Sequence, residues 1–132
     1  MDFTLTTKIK ATAKQIYKSW LSTQRHSKMT GATAFISDQE GEKFTVCRGY
    51  ITGKNLELKP YEKILQSWRT GDFKENEDDS QIEVLLFEDG EHTTLTLNHT
   101  NVPESGEHYK KGWEESYFDP MRKYFEALNK DR

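Results

Sequence analysis

The chain has 132 residues, of which 33% are hydrophobic and 12% aromatic, which is enough for one domain with its own core. Its formal net charge of -3 at pH 7 argues against a nucleic-acid-binding surface, and its single cysteine, Cys47, excludes an internal disulfide. The start, MDFTLTTKIK, does not resemble a signal peptide, and no apolar run approaches the ~18 residues of a membrane span, so we expect one soluble, cytoplasmic domain over residues 1–132.

The N-terminal segment predicts a strand followed by two helices. One face of the strand carries Phe3, Leu5, Thr7 and Ile9, as in a strand that is buried on one side. The residues T-A-K-Q from Thr12 form a capping box that opens the first helix. A short second helix is expected to end near Gly31.

The middle of the chain predicts a series of short strands separated by turns. Strand patterns run through Phe44 and Val46, and then through GYITGKNLELKP, YEKILQSWR, SQIEVLLFED and HTTLTLNHT. The breaks are DQEG, KP, GDFKENEDDS and EDGE, the last of which contains the hairpin dipeptide Asp89-Gly90. Gly49 and Gly53 indicate a bulge or a sharp bend near the start of the second of these strands.

The C-terminal segment HYKKGWEESYFDPMRKYFEAL predicts one long helix with an aromatic stripe. The stripe, at a spacing of three or four residues, comprises Tyr109, Trp113, Tyr117, Met121, Tyr124 and Leu128. Pro120 removes one backbone hydrogen bond within this helix, so we expect the helix to bend there. Two separate helices that meet at Pro120 are the alternative.

The order of the elements predicts an α+β fold. Consecutive short strands with hairpin breaks form an antiparallel sheet, and such a sheet needs cover on one side only. A helix of ~22 residues is roughly 33 Å long, enough to cross several strands. We therefore expect a curved antiparallel sheet wrapped around the long C-terminal helix.

The combination of GYITGKNLELKPYEKILQSWR, TTLTLNHTNVP and a helix that opens with YKKGWEESYFDPM resembles the SRPBCC superfamily. Within it, these segments resemble the C-terminal domain family of the activator of heat-shock protein 90 ATPase. The resemblance runs from Ile16 to Tyr124 and rests on the pairs Gly49-Gly53, Trp68-Arg69, His99-Pro103 and Gly112-Trp113. It implies the helix-grip fold of START-like and birch-pollen-allergen-like domains, and a chaperone as a partner. The resemblance also implies that eukaryotic activators have a separate N-terminal domain that makes much of the chaperone contact, and we expect no counterpart of that domain within these 132 residues.

Alternation along the strands predicts which side chains face the helix. The inward-facing sets are Ile64, Gln66 and Trp68; Ile82, Val84 and Leu86; Thr93, Leu95, Leu97 and His99; and, subject to a register change near Gly53, Tyr50, Leu56 and Leu58. Because a straight helix cannot fill the hollow of a bowed sheet, the remaining space takes either large rings or a ligand. The predicted ligand-binding residues are Tyr50, Trp68, His99, Trp113, Tyr117 and Met121.

Each of these assignments has a structural alternative. Trp68 and Trp113 fit an ordinary core equally well, and His99 fits a hydrogen-bonded histidine of the core or rim better than an acid-base group. Arg48 would lie on the same face as Phe44 and Val46 if the strand continued, and it could then bind a ligand carboxylate. The strand is instead expected to end before Arg48.

The sequence gives little support for catalysis. The four histidines, His26, His92, His99 and His108, lack metal-ligand spacing, and no phosphate loop or nucleophile elbow is present. Cys47 is expected to face outward without a partner base, and the acidic loop GDFKENEDDS lacks a calcium-ligand pattern. We expect no metal and no cofactor, and an enzyme of the cyclase or hydratase kind ranks last.

Two binding functions remain. The first is a non-catalytic binding module that holds a small hydrophobic or amphipathic ligand in a cavity between the sheet and the C-terminal helix. The alternative is a co-chaperone-like protein that binds or stimulates a heat-shock protein 90 family ATPase. Neither function involves nucleic acid or membrane insertion.

Overall fold

The computed structural model describes residues 1–130. The elements are β1 (Phe3–Ile9), α1 (Ala13–Trp20), α2 (Thr23–Thr30), β2 (Ala34–Phe35), β3 (Lys43–Val46), β4 (Ile51–Lys59), β5 (Lys63–Thr70), β6 (Ser80–Asp89) and β7 (His92–Thr100), followed by α3 (His108–Trp113), a π-helical turn (Glu114–Phe118) and α4 (Asp119–Leu128). We refer to residues 108–128 as the C-terminal helix. None of the helices within residues 1–130 combines the length and the apolar composition that a membrane crossing requires.

The seven strands form one curved sheet in the order β1-β7-β6-β5-β4-β3-β2. Every pairing is antiparallel, as the hairpin breaks in the sequence predict. The C-terminal helix packs against the inner face of this sheet, and the predicted α+β helix-grip architecture is confirmed. The two-residue edge strand β2 was not predicted, because two residues are too short to show a period.

Alternation correctly predicts the inner face of three neighbouring strands inside the sheet, β5, β6 and β7. The buried positions of β5, β6 and β7 include all of Ile64, Gln66, Trp68, Ile82, Val84, Leu86, Thr93, Leu95, Leu97 and His99. These strands have neither bulges nor register shifts between them. Because successive side chains in a regular strand point to opposite faces, the pattern in the sequence transfers directly to the structure.

The local signals at the first two helices are also confirmed. The Thr12 hydroxyl accepts a hydrogen bond from the Gln15 backbone N–H, and the Gln15 side chain accepts one from the Thr12 N–H, both at 3.0 Å. Helix α2 ends at Gly31, whose φ of 80° is in the left-handed region. A glycine adopts this conformation without the steric cost that a Cβ atom would impose.

The inward-facing set predicted for β4 is correct only for Leu58. Leu58 is partly buried against the core and pairs with the buried Ile64, whereas Tyr50 is 42% exposed and Leu56 is 41% exposed. The buried residues are instead Ile51 and Asn55. The strand begins only after Tyr50, and a bulge between Asn55 and Glu57 shifts the register in its second half. One extra residue in a strand exchanges the two faces, so the alternation cannot be continued through it.

Gly53 allows the close approach of a neighbouring ring. A Cβ atom at this position would lie 2.4 Å from the Phe44 ring and 2.0 Å from the backbone oxygen of Ser67. The glycine therefore makes space for Phe44 on the inner face, and the bulge that we expected near it lies two residues further along the chain.

The C-terminal helix has no break at Pro120. At the two junctions of the π turn, right-handed helical dihedral angles are kept by Trp113, Glu114, Phe118 and Asp119. The Asp119 N–H bonds to the Glu114 carbonyl, five residues earlier. The irregularity is thus a π turn immediately before the proline, rather than the two separate helices that we considered as an alternative. Such turns occur mostly as single insertions in α-helices and are frequent at functional sites.

The π turn explains why the end of the predicted stripe is wrong. Among the buried residues of the helix, Trp113, Tyr117, Met121 and Phe125 follow a spacing of four, and Phe118 is buried beside Tyr117. A regular α-helix drifts by about 40° at each such step, and the wider π turn absorbs part of this drift. Phe125 consequently faces the core, while Tyr124 is half-buried and Leu128 is 55% exposed.

Candidate ligand-binding site

Aromatic rings fill the centre of the space between the sheet and the C-terminal helix. The ring centroids of Trp68 and Trp113 are 5.0 Å apart, and Tyr117 lies 4.9 Å from Trp113. Trp20 of α1 completes the cluster, with its centroid 5.1 Å from that of Tyr117. The two tryptophans from the predicted site therefore contact each other directly, and the hollow under the helix is largely closed by side chains.

His99 is fully buried and fixes the Trp113 ring. The Trp113 indole N–H donates to His99 Nδ1 at 3.0 Å, so this nitrogen is unprotonated. His99 Nε2 carries the proton and donates to the Ser80 hydroxyl at 2.8 Å, and that hydroxyl in turn donates to the Trp68 carbonyl at 2.6 Å. Burial lowers the pKa of His99 to about 4. Because both ring nitrogens are engaged, His99 orients the tryptophan and has no free atom for proton transfer.

A second buried histidine, His26, holds the Tyr117 side chain. Its Nδ1 lies 2.7 Å from the Trp20 carbonyl, which can only accept, so Nδ1 carries the proton. Its Nε2 accepts from the Tyr117 hydroxyl at 2.9 Å. Burial lowers the pKa of His26 to about 4 and raises the pKa of Tyr117. From the sequence we considered His26 only as a metal ligand. Its partner lies 91 residues further along the chain, so no local pattern indicates this pairing.

A third buried link connects α1 to the sheet. The Trp20 indole N–H donates to Gln66 Oε1 at 3.1 Å, and Gln66 Nε2 donates to Asn55 Oδ1 at 2.8 Å. Within residues 1–130, no buried side-chain nitrogen or oxygen lacks a hydrogen-bond partner. Fully satisfied polar groups of this kind favour a single arrangement of the core.

A pocket of about 200 Å³ opens beside the Trp68–Trp113 pair. It lies between the end of β5, the turn before β4 and the C-terminal helix. Its lining comprises Tyr50, Ile51, Trp68, Thr70, His108, Tyr109, Gly112, Trp113, Ser116 and Tyr117. Four of the six residues that we predicted for a ligand site thus come together here. His99 and Met121 do not line the pocket; both are fully buried behind it.

Hydrogen bonds hold the polar tips at the rim of this pocket. The Tyr50 hydroxyl donates to Asp72 Oδ2 at 2.5 Å, and the same carboxylate oxygen is 3.6 Å from His108 Nε2. The hydroxyls of Tyr109 and Thr70 share a hydrogen bond. Burial, and then the hydrogen bond to Asp72, raise the pKa of Tyr50 to about 12. The phenol of Tyr50 is consequently neutral at physiological pH.

A second pocket of about 290 Å³ adjoins the first and shares four lining residues with it: Tyr50, Ile51, Ser116 and Tyr117. Its outer wall is the turn between β3 and β4. Cys47, Arg48 and Gly49 follow one another in this turn with φ angles of 56°, 56° and 89°. Left-handed angles are uncommon for residues other than glycine, so this turn is a strained segment. Cys47 and Arg48 are exposed. The strand ends before Arg48 as predicted, but it also ends before Cys47, which we had expected to face outward within it.

The first pocket offers mainly aromatic and other apolar contacts. Within residues 1–130, no three histidine, cysteine, aspartate or glutamate side chains lie close enough to hold a metal ion. The residues around the first pocket are mainly aromatic, and the buried histidines behind it are committed to Trp113 and Tyr117. Partial burial of the Cys47 sulfur raises the pKa of the thiol, which disfavours the thiolate that a nucleophilic cysteine requires.

Comparison with known proteins identifies similar chains. The model of a family described as Activator of Hsp90 ATPase homolog 1-like protein matches residues 10–126. A Dictyostelium discoideum protein named Activator of 90 kDa heat shock protein ATPase homolog is 26% identical over 116 residues, which cover 86% of this chain and 30% of the relative. A mouse protein named Activator of 90 kDa heat shock protein ATPase homolog 1 is 24% identical over 113 residues, which cover 85% of this chain and 33% of the relative. The chain thus spans about a third of the length of the curated relatives that it matches.

The fold is also found in solved structures. The crystal structure of an HSP90 activator from Plasmodium falciparum aligns with a TM-score of 0.84 at 23% identity and covers 97% of this chain and 95% of that chain. At this level of identity the likeness establishes a shared fold. It agrees with the sheet order and with the long C-terminal helix described above.

Proposed function

The chain belongs to the Activator of Hsp90 ATPase homolog 1-like family, and on that premise we propose that it is a non-catalytic binding module. It takes a small apolar or amphipathic group into the pocket between the sheet and the C-terminal helix. The observation that carries this proposal is the pocket of about 200 Å³ lined by Tyr50, Trp68, Trp113 and Tyr117. Ligand sites are typically concave and mostly apolar, with a few polar groups at fixed positions, and this pocket has that character.

The volume limits what the pocket accepts. Sites for drug-sized ligands run from about 300 to 1,000 Å³, whereas an engineered apolar cavity of about 150 Å³ binds benzene. A pocket of about 200 Å³ therefore suits a single ring or a short branched group. A longer ligand would have to extend into the adjoining pocket, and this requires a movement of Tyr50, which borders both.

Gly112 offers a direct test of this site. It lines the pocket, and a Cβ atom added to it would meet no atom within 4 Å. The substitution Gly112→Leu is therefore expected to fill the pocket without displacing the core. Lys111→Leu is the matched control. It places the same side chain at the preceding position of the helix, which is exposed and does not line the pocket.

The measurement is an NMR titration with benzyl alcohol that follows the indole N–H signals of Trp68 and Trp113. We expect saturable shifts in the unchanged protein and in Lys111→Leu, and no saturable shift in Gly112→Leu. Equal shifts in Gly112→Leu would place the alcohol somewhere else. A failure to saturate in the unchanged protein at tens of millimolar would remove the ligand-binding proposal.

The family supports a second candidate function, which is binding to a heat-shock protein 90 family ATPase. The observation in its favour is that the matched relatives and one aligned structure are named as activators of this chaperone. The test is the ATPase rate of such a chaperone with and without this protein, together with a pull-down. A saturable change in rate supports the proposal, and an absence of binding at tens of micromolar contradicts it.

A further inference from the structure

The pocket beside the Trp68–Trp113 pair has an unusually aromatic wall. Five of its ten lining residues carry large rings: Tyr50, Trp68, Tyr109, Trp113 and Tyr117. The Trp68 and Trp113 planes are inclined by 34°, and those of Trp113 and Tyr117 by 50°. Rings tilted in this way form a concave wall. The negative faces of aromatic rings attract cations, and indole does so most strongly.

The charge at the rim of this pocket is also negative. Among residues 1–130, no lysine or arginine lines the pocket. The Asp72 carboxylate accepts the hydrogen bond from Tyr50 at 2.5 Å and thus lies at the edge of the aromatic wall. His108 lines the pocket, and its Nε2 is 3.6 Å from the same carboxylate. A positively charged guest would therefore meet five rings and the His108 imidazole, with the Asp72 carboxylate behind the Tyr50 hydroxyl at the edge of the pocket.

The polar groups available select among cations. Three of the lining hydroxyls already donate or share a hydrogen bond: those of Tyr109 and Thr70 bond to each other, and that of Tyr50 donates to Asp72. The Tyr117 hydroxyl bonds to His26, so the Ser116 hydroxyl and the remaining lone pairs of these oxygens are the acceptors at the pocket. A primary ammonium brings three N–H donors, and this pocket supplies fewer acceptors for them than water does. An alkylated ammonium has few or no N–H donors and presents methyl groups to the rings. It therefore avoids the cost of unmade hydrogen bonds.

We infer that this pocket recognises the alkylated ammonium group of a small amphipathic ligand, with Tyr50 and Asp72 as the residues that confer preference for the charge. The inference rests on the proposed ligand-binding function and specifies the chemical class of its ligand. The volume of about 200 Å³ accommodates a trimethylammonium group with a short chain.

The experiment compares two molecules of the same shape that differ in charge. Choline and its neutral carbon analogue 3,3-dimethylbutan-1-ol are titrated separately while the indole N–H signals of Trp68 and Trp113 are followed by NMR. A cation over desolvated aromatic faces gains enough to make choline about tenfold tighter than the alcohol. Raising the salt concentration weakens choline binding and leaves the alcohol unaffected, because screening acts on the carboxylate.

Two pairs of variants assign the preference to residues. Tyr50→Phe keeps the ring and is expected to retain most of the preference for choline, whereas Tyr50→Leu removes the ring and reduces the preference several-fold. Asp72→Asn removes the charge and weakens choline binding a few-fold, without a change for the alcohol. Asp78→Asn is the matched control, since Asp78 is an exposed residue of the same loop and contacts none of the lining residues within the described part of the chain.

The outcomes separate this inference from the function on which it rests. If the alcohol binds as tightly as choline, the inference about charge is wrong and the ligand-binding function stands. If neither molecule shifts the indole signals at tens of millimolar and benzyl alcohol also fails, both are wrong. Choline binding that is unchanged in Tyr50→Leu and in Asp72→Asn also overturns the inference. The NMR spectrum of each variant reports whether its fold is intact.

Discussion

Acidification is expected to destabilise this protein through its two buried histidines, His26 and His99. Each has a pKa of about 4 in the folded chain, against 6.5 for an unperturbed imidazole, mainly because burial disfavours the charged form. Below pH 6.5 the unfolded chain therefore binds more protons than the folded chain. The stability is at its full value above pH 6.5 and falls as the pH drops toward 4.

The size of this effect follows from the two pKa values. The full difference for one histidine corresponds to about 3 kcal/mol, and at pH 5 about 2 kcal/mol of it is already lost. His26 and His99 together then reduce the free energy of unfolding by about 4 kcal/mol at pH 5. Since a domain has typically about 5–15 kcal/mol in all, this loss is a large part of the total, and we expect a clear fall in the free energy of unfolding between pH 6.5 and pH 5.

The two histidines differ in what protonation does to their neighbours. A proton added at His99 Nδ1 would face the Trp113 indole N–H, and two donors cannot share a hydrogen bond. A proton added at His26 Nε2 would face the Tyr117 hydroxyl, which can turn and accept it. We therefore expect the packing of Trp113 to loosen at a higher pH than that of Tyr117.

The assay is urea unfolding followed by tryptophan fluorescence at pH 7.5, 6 and 5, for the unchanged protein and for His26→Asn and His99→Asn. Each substitution is expected to lower the stability at pH 7.5 but to remove about half of its pH dependence, because one of the two titrating groups is gone. A pH dependence that remains complete in both variants, or a stability that stays constant from pH 7.5 to 5, would refute this reasoning.

Three further predictions follow from single contacts, and urea unfolding at pH 7.5 checks each of them. Gly112→Ala is expected to stabilise the helix by about 0.5–1 kcal/mol, since the new Cβ meets open space. Gly53→Ala is expected to reduce the stability by at least about 2 kcal/mol, because its Cβ overlaps neighbouring atoms. Equal effects of the two substitutions would contradict this contrast. Gln66→Leu leaves the Trp20 N–H without its acceptor and Asn55 Oδ1 without the donor that Gln66 provides. We expect a loss of about 2–4 kcal/mol, and a neutral result would show that water replaces the link. Thr12→Ala removes the capping box, and we expect a loss of about 1 kcal/mol that Thr12→Ser does not cause.

Part of the candidate site was accessible to sequence reasoning. The spacing of the C-terminal helix and the alternation of β5 placed Trp68, Trp113 and Tyr117 on facing surfaces, and they do come together. Tyr50 also lines the pocket, but for a reason that the alternation did not provide. It lies outside β4 in the turn that precedes the strand, and its exposed ring forms the rim.

The size of the pocket could not be predicted. The curvature of the sheet and the length of the helix suggested a large hollow. Trp20 of α1 enters this space, and its bond to Gln66 fixes it there, so the hollow is mostly filled. The pattern within α1 shows that Trp20 is buried. Whether its ring fills this space depends on how α1 packs against the sheet, which the pattern does not show.

The sequence by itself determined the class of fold, the order and approximate positions of the main helices and strands, and the inner face of β5, β6 and β7. These features depend on the period of two residues in a strand and of 3.6 residues in a helix, and on caps formed within a few residues. Only the tertiary structure decided the π turn, the pairings of His26 with Tyr117 and of His99 with Trp113, and the small volume of the pocket. The two pairings join residues that lie 14 and 91 positions apart, and the π turn shifts the register of the helix by one residue. The energies of all these features depend on how whole elements pack against each other.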